Sequence, residues 1–259
     1  MKSLVLRTLA FAAALCLVSS SASAYVLLSP ARTWDCAPSI IVDNRGQSSI
    51  SDADGGVAAT IAAITAGGAW NGAVSGSVLT ASAGSMNNYT LGDGVPMLNF
   101  QDPIRACTGS CLAATFTGFY DQRSDGSYRI YDADIVTSSR YSWTTLGEPD
   151  GCSGEFYMEG VQVHEVGHLL GLGHSSVGGS TMYPSVASCD NGPASIASDD
   201  VNGIRALYGS GGLSCSGNPG GGGGGGGSCD LGAAGDSCSS NSDCCSNSCK
   251  GKPGAKTCK

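Results

Sequence analysis

Apolar residues along this chain keep two different rhythms. Ile40–Val42 reads as a short strand, ended by the polar stretch Asp43-Asn44-Arg45-Gly46. From Ser51 the spacing changes: Val57, Ile61 and Ile64 fall on one helical face, with Ser51, Asp52 and Asp54 as candidate caps and Gly67-Gly68 weakening the end. Short runs then return at Ser77–Ala81, Pro96–Phe100, Leu112–Tyr120 and Tyr128–Thr137, each bounded by turn residues, and they read as strands. The helical rhythm resumes at Val161, where Val163, Val166, Gly167 and Leu170 share one half of a helix. A last helix is expected from Ser198, with Val201, Ile204 and Leu207 as its buried face. Ser198 is its candidate cap, and Asp199 and Asp200 suit its N-terminal dipole.

Both ends of the chain depart from this pattern. Residues 1–24 read as a secretory signal: Lys2 and Arg7, the apolar run Leu9–Val18, then Ala22-Ser23-Ala24 as a small-residue cleavage site. That run is too short to span a membrane, so no transmembrane segment is expected. At the other end, residues 216–228 form a linker containing the unbroken run Gly220–Gly227, and residues 229–259 carry six cysteines. Of thirteen cysteines, Cys16 lies in the leader, six fall between Cys36 and Cys215, and six between Cys229 and Cys258. Even counts in an exported chain favour disulfides. Cys107 and Cys111 are close enough to close a small loop, and Cys152–Cys189 would brace the helix at Val161 against the segment after it. The formal charge is −8, and apart from Lys2 every lysine lies in the last ten residues. So acidic a body argues against nucleic acid as a partner.

The chemistry lies in VQVHEVGHLLGLGHSS, Val161–Ser176, which holds all three histidines of the chain. His164 and His168 are four apart, on one helix face about 6 Å from each other along the axis. Both rings can then reach one Zn²⁺ at about 2.0–2.1 Å. Glu165 sits about 100° round from His164, where a general base belongs. Gly171 permits a left-handed turn that ends the helix, so His174 can return as a third ligand.

The pattern H-E-x-x-H-x-x-G-x-x-H at His164–His174, with Ser175 after it, resembles the metzincin metallopeptidases and, among them, the matrixins. Ser180-Thr181-Met182-Tyr183-Pro184 is similar to their Met-turn, and Ser198–Gly209 to their closing helix. The resemblance implies an α/β (α+β) metzincin fold for residues 25–215: a twisted mixed sheet, the active-site helix beneath it, and the closing helix last. It implies one catalytic zinc on His164, His168 and His174, with Glu165 as the catalytic base and Met182 flooring the site without binding metal. The implied reaction is hydrolysis of peptide bonds in proteins by a secreted, monomeric enzyme. It further implies that Asp199 and Asp200 tie down the new N-terminus and the Met-turn; plain helix capping is the alternative. Calcium near the sheet is also implied, and Asp121, Asp125, Asp132 and Asp134 are its candidate donors or else ordinary solvated carboxylates. This chain departs from the family in three ways. No histidine remains for a second, structural zinc; Val186 stands near the place of the usual specificity-pocket tyrosine; and no cysteine-switch propeptide separates the leader from the body. Cys36 is either a thiolate blocking the zinc or, as the even count favours, a disulfide partner.

Residues 229–259 resemble an inhibitor cystine knot, or knottin, with Cys244-Cys245 adjacent. The pairings implied by that resemblance are Cys229–Cys245, Cys238–Cys249 and Cys244–Cys258. Lys250, Lys252, Lys256 and Lys259 make this end basic: it either docks on an acidic surface or matrix or is a protease-resistant tail with no specific partner. A rival reading follows, in which the chain is a secreted binding or toxin-like protein acting through this module and the larger body is a carrier.

Overall fold

A computed structural model of the chain describes residues 24–86, 90–213, 249–252 and 255–258. The leader up to Ser23, the linker 216–228 and most of the cysteine-rich module lie outside these residues, as do the three implied knottin pairings.

Two two-residue strands, β1 (Val26–Leu27) and β2 (Arg32–Thr33), precede β3 (Ser39–Asp43), whose Ile40 and Val42 alternate into the core. Helix α1 (Val57–Thr65) follows, with Val57, Thr60 and Ile64 buried at helical spacing. It starts later than the sequence pattern suggests. Residues 47–55 close on themselves through Gln47 N–H to Gly55 O (2.8 Å), and Gly56, at φ 84°, sits in the left-handed region. Among the candidate caps Asp54 does the capping, accepting from the N–H groups of Val57 (3.1 Å) and Ala58 (2.9 Å).

The sheet is completed by β4 (Thr80–Gly84), β5 (Met97–Asn99), β6 (Ala113–Gln122) and β7 (Tyr128–Thr137). Its order is β2-β7-β5-β3-β4, with β6 also on β7. All these pairings are parallel except β6 with β7, so the sheet is mixed as expected. Strands β2 and β5 share one edge of β7, at Tyr128–Arg129 and Asp134–Val136, while β6 runs along the whole of the other. Among the described residues β6 pairs with β7 alone, which leaves β6 as an edge strand. The expected strand at Ser77–Ala81 begins only at Thr80, because the Asn71 side chain takes the Val78 and Leu79 N–H groups (2.9 and 3.2 Å).

Beyond a short pair, β8 (Trp143–Thr144) with β9 (Phe156–Tyr157), the chain enters α2 (Met158–Leu169), then β10 (Leu172–Gly173) and finally α3 (Ser198–Tyr208). The core lies between the sheet and the helices, and Ile40, Leu98, Ile135, Val163, Val166 and Ile204 all meet there. Helix α2 is buried over most of its surface and is held by hydrogen bonds as well as apolar packing. The Trp70 indole donates to Val163 O (2.7 Å) and the Trp34 indole to Leu169 O (2.8 Å), while the Tyr208 hydroxyl donates to Leu170 O (2.6 Å). Carbonyls at the end of a helix lack partners inside it, and the last two donors supply them. Strands β11 (Cys249–Lys252) and β12 (Ala255–Cys258) form an antiparallel pair in the C-terminal region.

The disulfides Cys107–Cys111 and Cys152–Cys189 are both formed. Cys36 is disulfide-bonded too, which rules out the blocking thiolate. No helix of the described residues is long and apolar enough to cross a membrane.

Candidate metal and catalytic centre

Helix α2 presents His164 and His168 one turn apart, and Gly171 turns the chain so that His174 faces them. Gly171 sits at φ 106°, and a Cβ there would lie 2.4 Å from the Arg32 carbonyl oxygen, so a side chain is excluded on both counts. The three ring centroids lie 4.7–5.3 Å apart. One ligand atom from each histidine can be chosen so that all lie within 4.8 Å of one another.

Backbone carbonyls fix the orientation of two rings. His164 Nδ1 lies 2.6 Å from Thr181 O and His168 Nδ1 lies 2.8 Å from Leu172 O, so in each the Nδ1–H is the donor and the Nε2 lone pair is left for a ligand. His168 Nε2 and His174 Nε2 are 3.2 Å apart. Two nitrogens on one tetrahedral zinc, each at about 2.0–2.1 Å, stand about 3.3 Å apart, so this donor set fits that ion. Burial pushes the His164 and His168 pKa values down to about 4 and lowers that of His174. Neutral rings at ordinary pH are the form a metal requires.

Glu165 is buried beside the triad, and burial raises its pKa. Its Oε2 lies 2.6 Å from the Thr115 hydroxyl on β6, and its backbone oxygen lies 3.0 Å from the same hydroxyl. A single O–H is given preferentially to the charged acceptor. The sequence pattern did not single out Thr115, since one threonine in a strand carries no signal.

Beneath the triad runs Ser180–Pro184, a turn closed by Tyr183 N–H to Ser180 O (3.1 Å). Met182 is 2% exposed, and a Cβ on Gly167 would lie 2.2 Å from its sulfur, so the helix glycine makes room for the methionine. Asp200 accepts from Thr181 N–H (2.8 Å), Met182 N–H (3.1 Å) and Ala197 N–H (2.8 Å). One carboxylate thus caps α3 and ties down the turn, joining the two readings the sequence left open. Asp199 accepts from the Ser175 hydroxyl (2.6 Å). Ser198 is the first residue of α3 rather than its cap, and Ala197 holds the cap position.

A cleft of about 570 Å³ opens beside His164, Glu165 and His174, walled by Leu112, Tyr141, Phe156 and Val186 with the Cys107–Cys111 loop at its rim. Val186 therefore lines the site. A second cavity, of about 520 Å³, touches Glu165, His168 and His174 together with Arg32 and Thr117.

The four aspartates expected to gather for calcium do not form one group. Asp125 is exposed in the β6–β7 turn, bound to Ser127 N–H (2.9 Å), and Asp121 is exposed nearby. Asp132 and Asp134 are buried on β7, and their side chains hydrogen-bond to each other. Gly92 N–H donates to Asp132 Oδ2 (2.7 Å). Burial and the neighbouring carboxylate push Asp134 up to about 8, and burial raises Asp132.

Residues 106–209 match the sequence model of the matrixin family. The chain is similar to metalloendoproteinase 5-MMP of Arabidopsis thaliana, 52% identical over 52 residues, covering 20% of this chain and 14% of that protein. Metalloendoproteinase 1 of Glycine max is 54% identical over 54 residues, 21% of this chain and 17% of that protein. Matrilysin of Rattus norvegicus is 46% identical over 67 residues, 26% of this chain and 23% of that protein. Each match therefore spans less than a quarter of the relative's length.

Proposed function

We propose that residues 25–215 form the catalytic domain of a secreted, monomeric, zinc-dependent endopeptidase that hydrolyses peptide bonds in proteins. Residues 1–24 would be its leader, 216–228 a linker, and 229–259 a knottin-like module that docks the enzyme on an acidic surface or matrix. One observation carries the reading: three neutral histidines converge on one point with two Nδ1–H groups anchored on carbonyls, and a buried carboxylate stands beside them. The match to the matrixin family and the names of the similar proteins agree with it. Five disulfide-bonded cysteines, Cys36, Cys107, Cys111, Cys152 and Cys189, support export to an oxidising compartment.

His164, His168 and His174 would hold the zinc. When bound, zinc supplies a Lewis acid for the scissile carbonyl and lowers the pKa of a water towards about 7. The chain's own groups do the rest. Thr115 holds Glu165 Oε2, which leaves Oε1 to take the proton of the attacking water and pass it to the leaving amine. Water's hydroxyl goes to the acyl carbon and its proton to the amine, so the products are a carboxylic acid and an amine. The outer edge of β6 offers unpaired backbone groups on which an extended substrate can be laid as an added strand. The apolar wall of Leu112, Tyr141, Phe156 and Val186 suits an apolar substrate side chain. Calcium, the second metal of this reading, would sit at Asp132 and Asp134, whose adjacent buried carboxyl groups, once ionised, are the oxygen donors it takes.

The test compares the wild type with Glu165→Ala on an unfolded protein substrate, with and without a zinc chelator. Loss of the base should lower hydrolysis by about 10²–10⁴-fold. Chelation should abolish it, and added Zn²⁺ should restore it in the wild type only. Hydrolysis that survives both treatments would sink the zinc-peptidase reading.

A further inference from the structure

The second cavity beside the triad contains a cation without a counter-ion. Arg32 is 8% exposed. Its Nε donates to Pro30 O (3.1 Å), Nη1 to the Thr117 hydroxyl (2.8 Å) and Nη2 to Ser29 O (3.3 Å), all of them neutral acceptors. The Phe119 ring packs on the guanidinium, 4.0 Å from Cζ to the ring centroid, and fixes its plane. Among the described residues, arginine ion pairs are Arg45–Asp43, Arg123–Asp35 and Arg129–Asp35, and Arg32 takes part in none. A guanidinium has five N–H groups, so one on each terminal nitrogen remains to be given. Burying a charge without an opposite one is costly, and burial already lowers the pKa of Arg32.

This cavity is also where a substrate would pass. Ala113 borders both cavities, and Thr115 and Thr117 follow along β6 towards Arg32. At about 3.3 Å per residue, a strand laid on this edge travels about 13 Å between Ala113 and Thr117. One side chain can then occupy the apolar cleft while another, a few residues away across the triad, meets the guanidinium.

We propose that Arg32 makes this second cavity a subsite for an acidic substrate side chain, lying on the other side of the scissile bond from the residue in the apolar cleft. A carboxylate there would take the two remaining N–H groups as a forked pair. The proposal rests on the peptidase reading for the identity of the ligand as a substrate, and its test does not depend on turnover.

Fluorescent peptides of one sequence would carry Glu, Gln or Lys at each of three successive positions on that side of the bond. Their binding to zinc-loaded Glu165→Ala protein is read by anisotropy, and their cleavage by the wild type is followed in parallel. At one position Glu should bind about tenfold or more tightly than Gln, with Lys weakest, and the gap should narrow at high salt. In an Arg32→Gln background the gap between Glu and Gln peptides should close. Equal binding of Glu and Gln peptides at all three positions would overturn the subsite, and this comparison needs no variant at Arg32. Tight, Glu-selective binding without cleavage by the wild type would sustain the subsite and overturn only the peptidase reading.

Discussion

The Thr115 hydroxyl decides which oxygen of Glu165 is occupied and which is open, because it lies 2.6 Å from Oε2. Replacing Thr115 with Val keeps the shape and removes the donor, leaving the carboxylate free to rotate. We expect Thr115→Val to lower kcat about 10–100-fold, with KM nearly unchanged, since a charge-assisted hydrogen bond is worth about 1.5–3 kcal/mol. Thr115→Ser should restore most of kcat. If Thr115→Val and the wild type turn over equally, the hydroxyl has no positioning role. The contrast with the histidines shows what a sequence makes legible at this scale. His164, Glu165 and His168 declare themselves because helix geometry converts their spacing into position. Thr115 and Arg32 reach the same site from β6 and β2, and no local periodicity encodes which strand edge will lie beside α2.

At the scale of elements, the type and order of most segments were readable from apolar spacing, and β7 matches Tyr128–Thr137 at both ends. The boundaries that moved did so through side chains competing for backbone groups. Asn71 delays β4, and the closed turn at 47–55 delays α1. Asp200 is the most consequential of these polar contacts, because it joins α3 to the turn beneath the triad through three backbone N–H groups. An amide at this position turns an NH₂ group towards at least one of those donors. Asp200→Asn should therefore destabilise the domain by about 1–3 kcal/mol, seen as a lower Tm. Asp199→Asn, which weakens a bond to a single serine hydroxyl, should cost less. Equal Tm values for the two variants would show that Asp200 is only a helix cap.

Across the whole molecule the acidic balance was plain in the composition, but its burial was not. Alternation along β7 gives no warning that Asp132 and Asp134 face inward under the segment of Gly92, because that depends on how the chain before β5 folds over the sheet. An unfolded aspartic acid titrates near 3.9, whereas folded Asp134 is held up to about 8 by burial and by Asp132. Between those values the folded chain keeps a proton that the unfolded chain has lost. Stability should therefore fall as pH rises from about 4 to about 8, by at most about 1.4 kcal/mol per pH unit from this group. The acidic body's own repulsion also grows over this range, so the informative quantity is the difference from Asp134→Asn, which keeps the shape and removes the proton. At the proposed calcium site Ca²⁺ would take the ionised pair and oppose the loss, raising the wild-type Tm more at pH 8 than at pH 5 and that of the variant little at either. Parallel Tm-against-pH curves for wild type and Asp134→Asn, unmoved by Ca²⁺, would show that the buried pair neither holds the extra proton nor receives the metal.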